Sequence, residues 1–332
     1  MAATPQTNTT LSAMADEIKK YDNFAICGHV NPDGDCLGSQ LALAFALKSI
    51  GKRVTCLLAS SNPIEAGLGF LPGIQEMVPG SQFEGDVRAF IACDVPIPER
   101  MGEGARVQER AKVKFTIDHH AVPQSMSDFN YVDPDSPATG MLIWQLIKEL
   151  GVEPTPEMAM CCYAALMTDT GRFQYQNTTA DAFIAAGEMV AAGADPSLAA
   201  REVYQSRTSA SIQLERIMLE NMTVSSDGLW ALSYVSLADF ERTGAVKADA
   251  EPLIDTLRSL KGVKVACMLR EQSECVRGSL RAKGDDLDVA ELARSIGGGG
   301  HKAAAGFTFE GTLSDARCEL STRLDALCEA IR

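Results

Sequence analysis

The chain has 332 residues, 44 acidic and 30 basic side chains, a net charge of −14 and 46% hydrophobic residues. That length accommodates two domains with separate cores, and the composition excludes a disordered or fibrous chain. So negative a charge argues against a large basic surface for duplex nucleic acid and favours a short substrate held in a locally positive pocket.

Residues 1–20 are polar, without the basic segment and apolar core of a signal peptide, and no apolar run reaches the roughly 20 residues needed to cross a bilayer. The expected location is the cytoplasm. An apolar strand pattern over Phe24–Cys27 leads into His29-Val30-Asn31-Pro32-Asp33-Gly34-Asp35, and a helical pattern from Leu37 to Ile50 ends at Gly51. Strand, tight turn and helix in that order place the turn at the carboxyl edge of a parallel sheet, where ligand sites collect. A second strand pattern, Ala89–Cys93, ends in Asp94, and a third, Val113–Ile117, ends in Asp118-His119-His120. Helical patterns follow over Ala138–Leu150, Glu157–Met167 and Ala180–Ala192, the middle one running into Thr168-Asp169-Thr170-Gly171-Arg172.

A helical stretch from Leu198 through Asn221, expected to lack strand neighbours, links this part to a second lobe. There, strands are expected over Trp230–Val235, Val263–Leu269 and Cys275–Leu280, then a helix over Val289–Ile296 and the run Gly297 to Gly300. His301-Lys302 and three alanines should open another short helix, whose amides and dipole would favour a phosphate. The expected organisation is α/β in two lobes. Residues 1–195 form a doubly wound parallel sheet, 196–224 a helical linker, and 225–332 a smaller mixed-sheet domain.

One aspartate at a strand end is commonly a turn former or helix cap, and one histidine is commonly packed. Three of the chain's four histidines beside aspartates at successive strand ends are not explained that way. Two imidazoles with four carboxylates, Asp33, Asp35, Asp94 and Asp169, suit manganese, cobalt, iron or zinc better than magnesium. Six ligands exceed one tetrahedral site, and two ions about 4 Å apart with a bridging carboxylate account for the number. Two divalent ions cancel the four charges, so an anionic substrate needs further cations, for which Arg172, His120, His301 and Arg281 are the candidates. The ten cysteines form no Cys-x-x-Cys pair and read as free thiols.

These motifs, His29-x-Asn-Pro-Asp33-Gly-Asp35, Asp94, Asp118-His119-His120 and Thr168-Asp169-Thr170-Gly-Arg-Phe, resemble the four motifs of the DHH phosphoesterases. Gly297-Gly-Gly-Gly-His301-Lys-Ala-Ala-Ala-Gly306 resembles the signature of the DHH-associated C-terminal domain. Among these proteins the compact two-domain form is similar to the NrnA-type oligoribonucleases and adenosine 3',5'-bisphosphate phosphatases. The resemblance implies one manganese held by His29, Asp33 and Asp94, and a second by Asp35, Asp94, His119 and Asp169, with Asp94 as the bridge. It implies that Asp118 orients a neighbouring imidazole and that His120 is the acid or a phosphate contact, while Cys36 reads as a small buried filler. In the second lobe it implies substrate contacts from Ser279, Arg281, the loop Gly298-Gly299-Gly300 and His301.

The implied activity is phosphate ester hydrolysis on short single-stranded RNA or small nucleotides, in a cleft between the lobes. A cyclic or linear dinucleotide phosphodiesterase is the alternative. A RecJ-like exonuclease lacks room for its further domain, a family II pyrophosphatase lacks the glycine-histidine signature, and a non-catalytic sensor would ordinarily have lost a ligand. No membrane partner is expected, and a homodimer is compatible with the resemblance.

Overall fold

A strand buried on both faces needs an unbroken apolar run, and β4, Ala89–Cys93, has one, buried at every residue. In the computed structural model, which describes residues 7–121, 125–284, 286–329 and 331 and not the side chain of His301, β4 is central to a six-stranded sheet. Its companions are β1 (Asn23–Cys27), β2 (Arg53–Leu58), β3 (Val78–Pro79), β5 (Val113–Asp118) and β6 (Phe129–Val132). The order is β3-β2-β1-β4-β5-β6 and every pairing is parallel. The chain reverses its direction of travel across the sheet between β1 and β4, which opens a crevice at their carboxyl ends. At the outer side, Asn8 and Thr7 hydrogen-bond to Asn130 and Val132 of β6 and so cover a strand edge that would otherwise be unpaired.

The helices of this first unit, residues 1–206, are α1 (Leu11–Ile18), α2 (Gly34–Ser49), α3 (Ala105–Arg110), α4 (Thr139–Glu149), α5 (Pro156–Asp169), α6 (Ala180–Ala191) and α7 (Pro196–Tyr204). One sheet face packs on α1, α2, α4 and α5 through Phe24, Ile26, Ile91 and Phe115, and the other on α3 through Phe90 and Val107. Both α2 and α5 are apolar nearly all round, because each is buried between the sheet and other helices. They cross at Gly38, where a Cβ would lie 2.4 Å from the carbonyl oxygen of Cys161.

The second unit, residues 207–332, begins with α8 (Ser209–Glu220) and continues β7 (Thr223–Val224), β8 (Trp230–Val235), α9 (Leu237–Thr243), α10 (Leu253–Arg258), β9 (Val265–Glu271), β10 (Val276–Ala282), α11 (Val289–Arg294), β11 (Gly299–His301), β12 (Ala304–Phe309) and α12 (Leu313–Glu329). Its sheet runs β11-β12-β10-β9-β8-β7, with β8 and β9 parallel and the other pairs antiparallel. Leu280, Val265 and Phe307 pack one face against α11 and α12, while Ala266 and Met268 on the other face pack under α8 and α10.

Two sequence expectations are corrected here. The segment expected to be one helical stretch without strand neighbours is α7 in the first unit and α8 in the second, broken where Thr208 caps α8. Helix α8 packs on β8, whose Ser233 hydroxyl bonds the Met218 carbonyl. The alanines after His301 do not open a helix but form β12, paired antiparallel with β11. Burial of Ala305 and Phe307 at every second position fits a strand, and Gly300 adopts φ 143, outside helical space. No helix terminus therefore faces a ligand at that point.

Replacing Gly38 by alanine should cost about 1–3 kcal/mol, the usual penalty of overpacking a tight contact. Thermal unfolding will show this as a lower Tm, whereas an unchanged Tm would mean that the α2–α5 crossing yields freely.

Candidate metal centre

After β1 the chain turns through Asn31, at φ 55, into α2. Asp33 caps that helix, its Oδ1 accepting from the Cys36 amide at 3.0 Å, while its Oδ2 lies 3.7 Å from His29 Nε2. The helix-cap reading and the ligand reading of Asp33 thus use different oxygens. Gly34 is required because a Cβ there would meet the Thr168 side chain at 2.5 Å, where the start of α2 meets the end of α5.

Asp94 follows β4 directly and sits in the left-handed region at φ 55, rarely adopted outside glycine and common where function holds a strained backbone. Its amide donates to the Ile117 carbonyl at 3.0 Å. Its Oδ2 lies 3.3 Å from His29 Nε2 and its Oδ1 3.5 Å from His119 Nε2, so one buried carboxylate faces two imidazoles with different oxygens. His119 Nε2 is also 3.4 Å from Asp169 Oδ2 and 3.8 Å from Asp35 Oδ2. Both rings are oriented by backbone carbonyls. His29 Nδ1 is 2.9 Å from the Val30 oxygen and His119 Nδ1 3.2 Å from that of Ser136, an arrangement that keeps a proton on Nδ1 and turns Nε2 toward the carboxylates. The six residues expected as ligands are therefore gathered together.

Asp118 is fully buried and accepts through Oδ1 from the amides of His119 and His120 and from His120 Nδ1 at 2.7 Å. It thus orients His120 rather than His119. Burial pulls the His120 imidazole down, but Asp118 outweighs it and holds the ring above its ordinary pKa. Arg172 stacks its guanidinium 4.4 Å over the Tyr204 ring. Cys36 Sγ lies within 4.8 Å of ligand atoms of His29 and Asp94, but burial pushes its thiol well above the ordinary value and Gln40 Nε2 donates to the sulfur at 3.5 Å. None of the ten cysteines forms a disulfide among the described residues.

Thr139 and Gly140 have no place in the sequence reading. Their amides, at the start of α4, donate to Asp35 Oδ2 at 2.7 Å and Oδ1 at 2.8 Å, and the Thr139 hydroxyl donates to Asp94 Oδ1 at 3.0 Å. Thr139 thus fixes two carboxylates at once. The segment Ser136-Pro137-Ala138-Thr139-Gly140 carries no acid or imidazole, and its only sequence signal is a helix start after proline.

In the second unit, register aligns His301 with Ala304 and, through it, with Arg281, and aligns Gly299 with Gly306 and Ser279. The side chain of His301, expected to contact phosphate, lies outside the described residues. Gly298 and Gly300 are needed by the hairpin itself, since a Cβ would meet the Gly306 oxygen at 2.2 Å and the Ala304 oxygen at 2.5 Å respectively. A Cβ at Gly299 would meet nothing within 4 Å.

Without a cation the cluster opposes itself. Burial and the neighbouring Asp94 push Asp35 up to about 7, and burial raises Asp169 well above the carboxylate range despite His119. Burial also pulls His119 down, but Asp169, Asp94 and Asp35 hold it at about 10. Asp94 and Asp33 go the other way. Burial opposes the lowering at both, but hydrogen bonding and charge from His29 prevail, joined at Asp94 by His120 and His119. Hard oxygen and imidazole donors, preoriented, mutually repelling and buried at His29, Asp35, Asp94 and His119, with Asp169 half-buried and Asp33 exposed, fit metal ions.

The DHH family N-terminal domain matches residues 23–166, and the DHHA1 domain matches residues 231–331. A bifunctional oligoribonuclease and PAP phosphatase NrnA of Thermus thermophilus is 30% identical over 314 residues, covering 92% of this chain and 88% of that protein. The chain belongs to the DHH family. A bifunctional oligoribonuclease and PAP phosphatase NrnA of Bacillus subtilis is 29% identical over 87% of this chain and 90% of its own length. The crystal structure of an exopolyphosphatase-related protein from Bacteroides fragilis superposes with a TM-score of 0.88 at 28% identity, covering 96% of this chain and 98% of that one.

Thr139→Val keeps the amide to Asp35 and removes the hydroxyl from Asp94. Affinity for a divalent cation should fall about 10- to 100-fold, the usual cost of losing a hydrogen bond behind a ligand, and calorimetric titration giving an unchanged affinity would refute this role. A second expectation concerns the chelated protein. Asp35 binds its proton more tightly when folded, moving from an ordinary 3.8 up to about 7, and His119 does so from 6.5 up to about 10. The folded state therefore holds more protons than the unfolded one across that span, and stability falls as pH rises through it. Melting curves in chelator should show a falling Tm from pH 6 to pH 9; a rising Tm would contradict the charge balance described.

Proposed function

We propose that this DHH-family phosphoesterase hydrolyses short oligoribonucleotides to mononucleotides and dephosphorylates adenosine 3',5'-bisphosphate, using two divalent ions, manganese by preference. The observation that carries the reading is Asp94, whose two oxygens face His29 and His119 separately. His29, Asp33 and Asp94 would hold one ion, and Asp35, Asp94, His119 and Asp169 the other. When bound, such ions supply Lewis acidity toward phosphoryl oxygens and lower the pKa of water. The names of the relatives from Thermus thermophilus and Bacillus subtilis support this pair of substrates.

The chain's own groups orient the substrate and move its proton. His120, with Nδ1 held by Asp118 and its pKa raised, is suited to donate a proton from Nε2 to the leaving oxygen. Asp118 keeps the tautomer that allows this. Ser279, Arg281, Gly298, Gly299, Gly300 and His301 would hold the nucleotide, with Arg172 a further cation, and the net charge of −14 favours short substrates over long strands.

The test is a manganese-dependent hydrolysis panel of di- to pentaribonucleotides, adenosine 3',5'-bisphosphate and cyclic dinucleotides. The short RNAs and the bisphosphate should turn over fastest, and Asp94→Asn should abolish both activities. A preference for cyclic dinucleotides would overturn the substrate assignment. His120→Ala should lower kcat about 10²–10⁴-fold, the range typical of a lost general acid, with metal content unchanged; wild-type turnover in this variant would remove His120 from the mechanism.

A further inference from the structure

On the sheet of the second unit, alternate residues of β9 divide along one face. Ala266 and Met268 lie under α8 and α10, whereas Arg277, Ser279 and Arg281 of the adjoining β10, with Ala304, Gly306 and Thr308 of β12, are partly exposed. Arg270 is at the boundary. It is only 8% exposed, its Nη1 pairs with Glu251, its Nη2 donates to Ser279 Oγ at 3.1 Å, and its Nε is buried without a hydrogen-bond partner. A hydroxyl that accepts through its oxygen keeps its proton to give. Among the described residues, the Ser279 hydroxyl has no acceptor. One strand position away the pattern recurs, since Arg277 Nη1 donates to Thr308 Oγ1 at 2.5 Å. The face thus presents two hydroxyls, each backed by an arginine, over a floor of Ala304 and Gly306 that lets a ligand approach the backbone.

We infer that Arg270 is a positioning residue that turns the Ser279 hydroxyl outward as a donor to a phosphate of the substrate other than the one being hydrolysed. The inference rests on the reading above, because both a bisphosphate and a short RNA carry such a second phosphate. An ion pair that merely ties β9 to Glu251 explains Nη1 but neither the bond to Ser279 nor the buried, unpartnered Nε. Hydroxyls that keep a proton to give, each backed by an arginine and grouped beside small residues, suit a phosphate oxygen.

The experiment is calorimetric binding of adenosine 3',5'-bisphosphate to the full chain in chelator, with melting curves for every variant and kinetics on a pentaribonucleotide in manganese. Arg270→Gln should weaken binding about tenfold or more, as expected for a charge-assisted hydrogen bond, with the kinetic loss falling on KM more than on kcat. Ser279→Ala should weaken binding similarly, and the double variant should be about as weak as Arg270→Gln alone, because the two groups act as one unit. Glu251→Gln cuts the ion pair but leaves the arm to Ser279, and should bind within about twofold of wild type. Wild-type binding by Arg270→Gln would overturn the inference, as would an equal loss in Glu251→Gln, which marks a structural tie. Absence of bisphosphate binding by the wild-type chain would also overturn it, even if RNA hydrolysis stood. Arg270-dependent binding without hydrolysis of any nucleotide would overturn the functional reading alone.

Discussion

Four carboxylates crowded among three imidazoles at the β1–β4 crevice repel one another, and without cations the folded chain relieves that repulsion by holding protons on Asp35 and Asp169. Asp35 shows the balance. It receives two amides from the start of α4 and the Ser39 hydroxyl, yet burial and Asp94 still drive it up to about 7. A helix N-terminus is worth at most about 2 kcal/mol to an anion, while burying a charge costs several. The local hydrogen bonds fix the geometry without cancelling the repulsion, and bound cations would supply what is missing.

The rest of the first unit brings those groups to one place. The parallel sheet delivers His29, Asp94 and the Asp118-His119-His120 triplet to a single edge, and the Gly38 crossing brings α2, with Asp35, against α5, with Asp169. Gly140 allows a second close approach, since a Cβ there would lie 2.4 Å from Ala165 Cβ and 3.3 Å from Asp35 Oδ1. The second unit carries a different chemistry, with arginines and hydroxyls on a partly exposed strand face and no comparable cluster of acids among the described residues.

Much of this is legible in the sequence because the informative residues are rare types at strand ends. The whole chain has four histidines, and three of them, beside aspartates, mark the ends of β1 and β5, with Asp94 marking that of β4. What escapes the sequence are contacts made by the backbone or by common residues. Thr139 acts through one amide and one hydroxyl, and Ser136 through a carbonyl, none of which leaves a compositional signal. The helix expected after His301 fails because alanine propensity is weak beside strand pairing and the alternating burial of Ala305 and Phe307. The single linker helix fails for a related reason: Thr208 starts a new helix whose apolar face, with Leu214 and Met218, belongs to the second core.

The central claim is the proposed one, that Asp94 would be shared by two metal ions. Electron paramagnetic resonance of the manganese-loaded chain, with metal counted per protein, tests it most directly. A shared Asp94 predicts two manganese ions per chain and an exchange-coupled spectrum that Asp94→Asn converts to an isolated-ion signal. One ion per chain with an uncoupled six-line signal at saturation would contradict it.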